Sequence, residues 1–269
     1  MHGAGNDFVL IDARKQDLEM DRAMAERLGD RHRGIGCDQI LILRQASEPG
    51  CVLRYEIWNS DGSPAAQCGN GARCVGLYIH LNGDVAEDHF SVESPVGVIT
   101  MLRCEDGEYE LGMGIPEFDP GRVPIALEPR EGSYHLDSPW GKLELGAVSI
   151  GVPHALFVCD DIDDENLPAM GGFVRAHPAF PEGVNAGFAQ LRSRNRIHLR
   201  VIERGAGETL ACGSGACAAV AILHRAGRVD DTVTVVLPGG QLVIKWRGND
   251  ETLYMKGPAK HVFRGIMNE

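Results

Sequence analysis

Apolar and polar residues alternate along two short stretches of the chain, residues 53–58 and residues 197–202. Alternation with a period of two predicts strands with one face turned toward a core. An apolar run at 40–43 predicts another strand. Patterns of short strands also occupy much of the remaining chain, at 91–92, 97–104, 108–113, 232–237, 241–246 and 252–256.

Two Ala-rich, apolar segments have the pattern of helices. The first helix is predicted over 70–81, where Asn82-Gly83 ends it, and the second over 214–225, with Gly227 as its end. The second segment is apolar on nearly every side, so its helix should be surrounded by protein rather than lie on a surface.

The order of these elements repeats along the chain. A Cys-Gly-x-Gly-Ala segment opens each predicted helix, and its cysteine is Cys68 in the first copy and Cys212 in the second. A polar residue that follows a predicted strand, Asn59 or Glu203, lies nine positions before each cysteine. The repeat indicates an internal duplication.

We therefore expect an α/β (α+β) fold of two pseudo-symmetric domains, each a β-barrel or sandwich of short strands wrapped around a central helix. The opening stretch 5–12 has a loose counterpart at 151–158, in agreement with two homologous halves. The N-terminal half is predicted at 1–114, completed by a C-terminal strand at 258–269, and the other half at 115–257. We expect the two helix N-termini to face each other across a cleft.

The net charge of −12 argues against a nucleic acid or an anionic membrane as a partner. It leaves open a small amino-acid substrate, because binding such a molecule depends on local fields. We find no pattern of a signal peptide and no apolar run that could span a membrane, so a cytoplasmic protein is expected.

The eight cysteines do not predict a disulfide framework in a chain of this length without an export signal. Two pairs of cysteines lie close in sequence, Cys68 with Cys74 and Cys212 with Cys217. The spacing within each pair is wider than in a zinc knuckle, and no matching histidine cluster accompanies them, so no metal is expected. We interpret the remaining four cysteines as small buried residues, namely Cys37, Cys51, Cys104 and Cys159.

The two Cys-Gly-x-Gly-Ala segments carry the candidate chemistry. A thiol at a helix N-terminus lies where free N–H groups and the helix dipole favour anions and lower the thiol pKa. Each thiol would lie beside N–H groups that can bind a carboxylate. Two such thiols suit a reaction in which a proton is removed from one face of the carbon next to a carboxylate and a proton is returned to the other face. This pattern predicts a racemase or epimerase that works without a cofactor, and no dinucleotide or phosphate-loop spacing is present.

Segments along the whole chain resemble the diaminopimelate epimerase family. The resemblance rests on residues 1–8, 59–74, 177–185 and 203–217. It implies two pseudo-symmetric α/β domains with the active site between them. It also implies cofactor-independent interconversion of LL- and meso-2,6-diaminopimelate, a step of lysine and peptidoglycan precursor biosynthesis, by a cytoplasmic homodimer.

The resemblance also implies the residues of the site. Cys68 and Cys212 would be the acid/base pair, and His154 with Glu203 would tune the thiols. Phe263 would contact the second subunit of the homodimer. The substrate would be bound by Asn6, Gln39, Asn59, Gly69, Asn70, Asn185, Glu203, Arg204, Gly213 and Ser214.

One departure from the family concerns the far end of the substrate. Family members commonly carry an asparagine where this chain has Val152, whose side chain cannot form a hydrogen bond. An alternative function is therefore racemisation of another amino acid, such as proline, hydroxyproline or histidine. A second alternative is a binding protein that captures an amino acid without catalysis, which would leave the paired cysteines unexplained. A third is a thiol redox switch, which we interpret as an inactivating side reaction.

Overall fold

A computed structural model describes residues 1–130 and 132–267, and within these residues the chain forms two units. The first unit comprises Met1–Gly112 with Lys256–Glu269, and the second comprises Met113–Met255. No helix in the described part of the chain is long and apolar enough to cross a membrane.

The first unit contains seven strands and two helices among its described residues up to Gly112. They are β1 (His2–Gly3), β2 (Asn6–Asp12), α1 (Arg22–Gly29), β3 (Gln39–Arg44), β4 (Cys51–Asn59), α2 (Gly69–Asn82), β5 (His89–Ser94), β6 (Gly97–Arg103) and β7 (Tyr109–Gly112). Its strands pair in chain order, and β2 with β3 and β4 with β5 are the parallel pairs. Because parallel neighbours need a crossover, α2 connects β4 to β5 across the sheet.

The second unit repeats this topology. Its elements are β8 (Tyr134–Ser138), β9 (Gly141–Ser149), β10 (Pro153–Val158), α3 (Leu167–Arg175), β11 (Asn185–Ser193), β12 (Arg196–Glu203), β13 (Gly207–Glu208), α4 (Gly213–Arg225), β14 (Thr232–Leu237) and β15 (Gly240–Lys245). A last strand, β16 (Tyr254–Gly257), returns the chain to the first unit. The parallel pairs are β10 with β11 and β12 with β14, so α4 is the crossover that corresponds to α2.

The expected fold class is confirmed, and so are both predicted helices. Gly83 ends α2 in the left-handed conformation (φ 74°), and its N–H donates to the carbonyls of His80 and Ile79. Nine of the thirteen residues of α4 are buried, which agrees with a segment that is apolar on almost every side. In β3, Ile40 to Leu43 are fully buried because α1 packs on one face of the strand and Leu41 reaches Gly71 of α2 on the other.

The C-terminal strand expected at 258–269 is wrong. The last strand ends at Gly257, and between 258 and 267 the only pairing described is a single bridge of Lys260 with His2. Proline at 258 lacks the N–H that a ladder needs, which agrees with the end of pairing there. Residues 268 and 269 lie outside the described residues.

All eight cysteines are free thiols, but they differ in burial. Cys37 is buried as expected, and burial raises its pKa to about 11. The same expectation is wrong for Cys51, Cys104 and Cys159, which are half-buried.

Candidate active site

Each central helix begins in the same way, with a cysteine as its N-cap. Cys68 (φ −150°, ψ 103°) and Cys212 (φ −111°, ψ 107°) both have extended backbones. Their Sγ atoms accept hydrogen bonds from the N–H groups of Gly71 and Gly215, each over 3.4 Å. The thiols therefore occupy the anion-favouring end of the helix in both units.

Polar residues lie at the strand ends that precede each cysteine. Gln39 begins β3 and Asn59 ends β4, and the two residues face each other, with Gln39 Nε2 donating to Asn59 Oδ1 over 2.8 Å. In the second unit, Asn185 begins β11 and Glu203 ends β12. The shared topology thus brings residues distant in sequence to corresponding sheet edges.

We define the first half-site as Asn6, Cys68 and Asn70, with Gln39 and Asn59 as its outer pair. Asn6 Oδ1 accepts from Asn70 Nδ2 over 3.1 Å and from Cys68 Sγ over 3.7 Å. Asn70 is almost fully buried in the first turn of α2. The thiol of the first half-site therefore contacts the amide of Asn6, which is itself bonded to the amide of Asn70.

We define the second half-site as His154, Glu203, Cys212 and Ser214. Ser214 Oγ lies 3.1 Å from His154 Nε2 and 3.6 Å from Cys212 Sγ, so the hydroxyl joins the imidazole to the thiol. His154 and Cys212 are both buried. Thr209 Oγ1 donates to the carboxylate of Glu203.

Burial and charge act in the same direction on the second thiol. Desolvation raises the pKa of Cys212 well above its usual range, and the neighbouring carboxylate of Glu203 raises it further. Burial lowers the pKa of His154 to about 3, so its imidazole is neutral at physiological pH. Cys212 is therefore protonated in the absence of substrate, and His154 carries no positive charge beside it.

Two further residues predicted to bind the substrate, Asn185 and Arg204, contact each other in the second unit. Asn185 Oδ1 accepts from the backbone N–H of Arg204 over 2.7 Å, and the exposed Arg204 side chain donates to the carbonyl of Glu182 over 2.6 Å. Phe263, by contrast, follows the last strand and is 64% exposed. It joins neither half-site in the described contacts of its unit.

Val152 corresponds in position to Asn6. Phe8 of β2 pairs with Gln39, and His154 of β10 pairs with Asn185, so Asn6 and Val152 each lie two residues before the paired position. The second unit thus has an apolar residue where the first has an amide.

Two charged residues that the sequence did not predict lie beside the first half-site. The fully buried guanidinium of Arg73 donates to Asn70 Oδ1 over 2.7 Å, and Asp38 accepts from Asn6 Nδ2 over 2.8 Å. Their spacing in the sequence could have identified them. Arg73 lies three residues after Asn70, on the same helix face, and Asp38 directly precedes Gln39.

The fold is that of amino-acid racemases and epimerases. A hydroxyproline epimerase from Agrobacterium vitis, solved with bound trans-4-hydroxy-L-proline, superposes with a TM-score of 0.66 at 18% identity, over 88% of this chain and 77% of that protein. At this identity the likeness concerns the fold alone.

The sequence itself defines the family more narrowly. The diaminopimelate epimerase family model matches residues 1–118 and 146–262. The diaminopimelate epimerase of Xanthomonas euvesicatoria is 45% identical over 269 residues, covering all of this chain and 95% of that protein. That of Xylella fastidiosa (strain 9a5c) is 47% identical, covering 99% of this chain and 94% of its relative. The chain belongs to the diaminopimelate epimerase family and is an isomerase.

Proposed function

We propose that this chain interconverts LL- and meso-2,6-diaminopimelate by a two-base mechanism in which Cys68 and Cys212 are the acid/base residues. Family membership over the whole chain supports the substrate. The observation that carries the mechanism is the pair of N-cap thiols, which both have extended backbones and both accept from the N–H of a glycine three residues on.

In each turnover one cysteine acts as a thiolate and the other as a thiol. The thiolate takes the proton from the α-carbon, which leaves the bonding electrons on carbon and the adjacent carboxylate. The opposite thiol then gives its proton to the other face of that carbon. The protein ends with thiol and thiolate exchanged, so the reverse reaction uses the same two groups.

The negative charge that builds on the substrate needs fixed donors. The backbone N–H groups of Gly69 and Asn70, and those of Gly213 and Ser214, belong to the first turns of α2 and α4. First-turn N–H groups point toward the N-terminal end of a helix, where they and the helix dipole favour an anion such as the reacting carboxylate. We assign this role to them in both half-sites.

The two thiols differ in their starting state. Burial and Glu203 keep the proton on Cys212, so we assign it the acid role when the enzyme first meets substrate. His154 positions the Ser214 hydroxyl beside that thiol as a neutral imidazole. Glu203 and His154 thereby tune the second thiol without themselves taking the substrate proton.

The distal end of diaminopimelate carries an ammonium and a carboxylate. We assign its recognition to the amides of Asn6, Gln39, Asn59 and Asn185 together with Arg204, because amides and a guanidinium match these groups. A cytoplasmic location and a homodimer with Phe263 at its contact stay predictions. Sedimentation of Phe263→Asp beside the unmodified protein tests the dimer.

Chiral chromatography tests the function. We expect the purified, reduced protein to convert LL-diaminopimelate into the meso isomer without added cofactor, and to leave L-proline, trans-4-hydroxy-L-proline and L-histidine unchanged. Turnover of one of these three in place of diaminopimelate would overturn the substrate assignment, and binding without isomerisation would overturn the enzymatic one.

A further inference from the structure

Arg73 is a cation enclosed within the first unit. Its side chain is fully buried on α2, where Nη2 donates to Asn70 Oδ1 over 2.7 Å and Nη1 reaches the carbonyl of Gly69 over 3.4 Å. Its Nε donates to the carbonyl of Pro258 over 3.2 Å. Burying a guanidinium is costly, so one placed directly behind the candidate carboxylate cradle needs a reason.

The guanidinium determines which way the Asn70 amide points. Arginine only donates hydrogen bonds, so the oxygen of Asn70 must face Arg73 and its NH₂ group must face away. Asn70 Nδ2 accordingly donates to Asn6 Oδ1 over 3.1 Å. A reversed amide would place NH₂ against the cation and lose both bonds.

A carboxylate fixes the next amide from the opposite end. Asp38 Oδ2 accepts from Asn6 Nδ2 over 2.8 Å and from the backbone N–H of Asp7 over 3.2 Å. Arg31 holds the other oxygen of Asp38 over 2.7 Å. Because a carboxylate only accepts, Asn6 must direct its oxygen toward Asn70 and toward the thiol of Cys68.

We propose that Arg73 and Asp38 are positioning residues that fix the orientation of Asn70 and Asn6 beside Cys68. The bonds run in one direction, from Arg73 to Asn70, to Asn6 and to Asp38, with a donor-only group at one end and an acceptor-only group at the other. This proposal rests on the proposed function in one respect: the amides so oriented are those assigned to the substrate.

The second half-site needs no such device. Ser214 occupies the place of Asn70, and its hydroxyl can rotate to donate or accept. Cys217, a fully buried cysteine, occupies the place of Arg73. The charged ends belong only to the unit whose cradle carries amides.

Arg73→Met tests the proposal, with Arg14→Met as a matched control. Arg14 is also a largely buried, ion-paired arginine of the first unit, but it binds Asp12 and Asp84 beyond the far end of α2. NMR of the side-chain amide of Asn70, assigned by the loss of its signals in Asn70→Ala, reports the orientation without substrate. We expect Arg73→Met to lose the protection of these protons from solvent exchange, and Arg14→Met to keep it.

Kinetics test whether Arg73 acts through Asn70. We expect Arg73→Met to lower kcat/KM by about 10- to 100-fold, as removal of an outer partner of a reacting group does. In Asn70→Ala, adding Arg73→Met should then change kcat/KM by no more than about twofold, because coupled residues do not add. A merely structural arginine would give losses that multiply.

Two outcomes would overturn the proposal: protected Asn70 amide protons in a folded Arg73→Met variant, or multiplying losses. If Arg73→Met does not fold, the exposed Asp38→Ala, which removes the acceptor-only end, is read in its place. Asn6 amide protons that stay protected there contradict the proposal. An inactive unmodified protein whose Asn70 signals respond as expected would sink the proposed function and leave the positioning roles standing.

Discussion

In the first half-site the thiol of Cys68 contacts the amide of Asn6, whereas in the second the thiol of Cys212 lies near the carboxylate of Glu203 and is joined through Ser214 to a buried neutral imidazole. The backbones are nearly the same, since both cysteines cap a helix and accept from the N–H three residues on. The side chains around them are not. Asn70 corresponds to Ser214, Asn59 to Glu203 and Asn6 to Val152.

This difference separates two requirements of a two-base reaction. The duplicated backbone places a thiol in each unit beside the first-turn N–H groups of a helix, which we assign to the reacting carboxylate. The side chains that diverged set where the shared proton rests, because a carboxylate and burial both favour a protonated Cys212. If both thiols had identical surroundings, neither would be favoured as the protonated one before substrate binds.

Removing either thiol is the strongest way to break the comparison. We expect Cys68→Ala and Cys212→Ala each to lower kcat by about 1000-fold or more, since each loses an acid/base group. Cys74→Ala and Cys217→Ala are the controls, because these buried cysteines lie farther along the same two helices. Chiral chromatography measures the rates, and substantial activity in either of the first two variants would contradict the assignment.

Glu203→Gln makes the second half-site electrostatically more like the first. Losing the carboxylate should lower the pKa of Cys212, so iodoacetamide should alkylate this thiol faster at a fixed pH, as followed by mass spectrometry. We expect kcat/KM to fall by about 10- to 100-fold. Glu208→Gln, which removes a carboxylate paired with Arg200 in the same unit, is the control. Unchanged alkylation in Glu203→Gln would show that Glu203 does not act on the thiol.

His154 distinguishes the half-sites through stability. Its folded-state pKa of about 3 lies below the ordinary value of 6.5, so below pH 6.5 the unfolded chain gains a proton that the folded chain does not. Stability should therefore fall as the pH drops from 6.5 toward 3. At about pH 4.5 we expect about 2 to 3 kcal/mol of this loss to be absent from His154→Gln. Urea unfolding of the unmodified protein and of His154→Gln, each at pH 6.5 and at about pH 4.5, measures the loss of stability. Equal losses in the two proteins would contradict a buried neutral imidazole.

Val152→Asn gives the smallest expected effect. It supplies the second unit with the amide that the first has in Asn6, and one added hydrogen bond should lower the KM for diaminopimelate by about 2- to 10-fold. Val152→Ala controls for the loss of the valine side chain alone. An equal KM in both variants would show that this position does not contact the substrate.

The sequence predicted the elements with strong patterns and missed those without. Both central helices and the alternating strands were predictable because burial imposes a period on their residues. Helices α1 and α3 were not predicted, since α1 is eight residues long and mostly exposed and α3 carries a proline at its start. The expected strand after Gly257 failed because the apolar Val262 and Phe263 are exposed.

Part of the site was beyond sequence reasoning for a physical reason. The cysteines and the strand-end residues repeat with fixed spacing, so the duplication pointed to them. Arg73 corresponds to the uncharged residue Cys217 in the second copy, so the repeat did not point to it, and a charged residue on a helix usually faces solvent. Only the contacts show that its guanidinium is buried against Asn70.

The most direct test of the two-base mechanism is the early incorporation of deuterium from solvent. LL-diaminopimelate is incubated with the protein in deuterium oxide. Before equilibrium is reached, substrate and product are separated, and the deuterium content of each is measured by mass spectrometry. We expect the meso product to carry deuterium at its inverted α-carbon while the remaining LL substrate stays protiated, because removal and return use different thiols. Deuterium appearing equally in both isomers from the start would contradict it and indicate a single base.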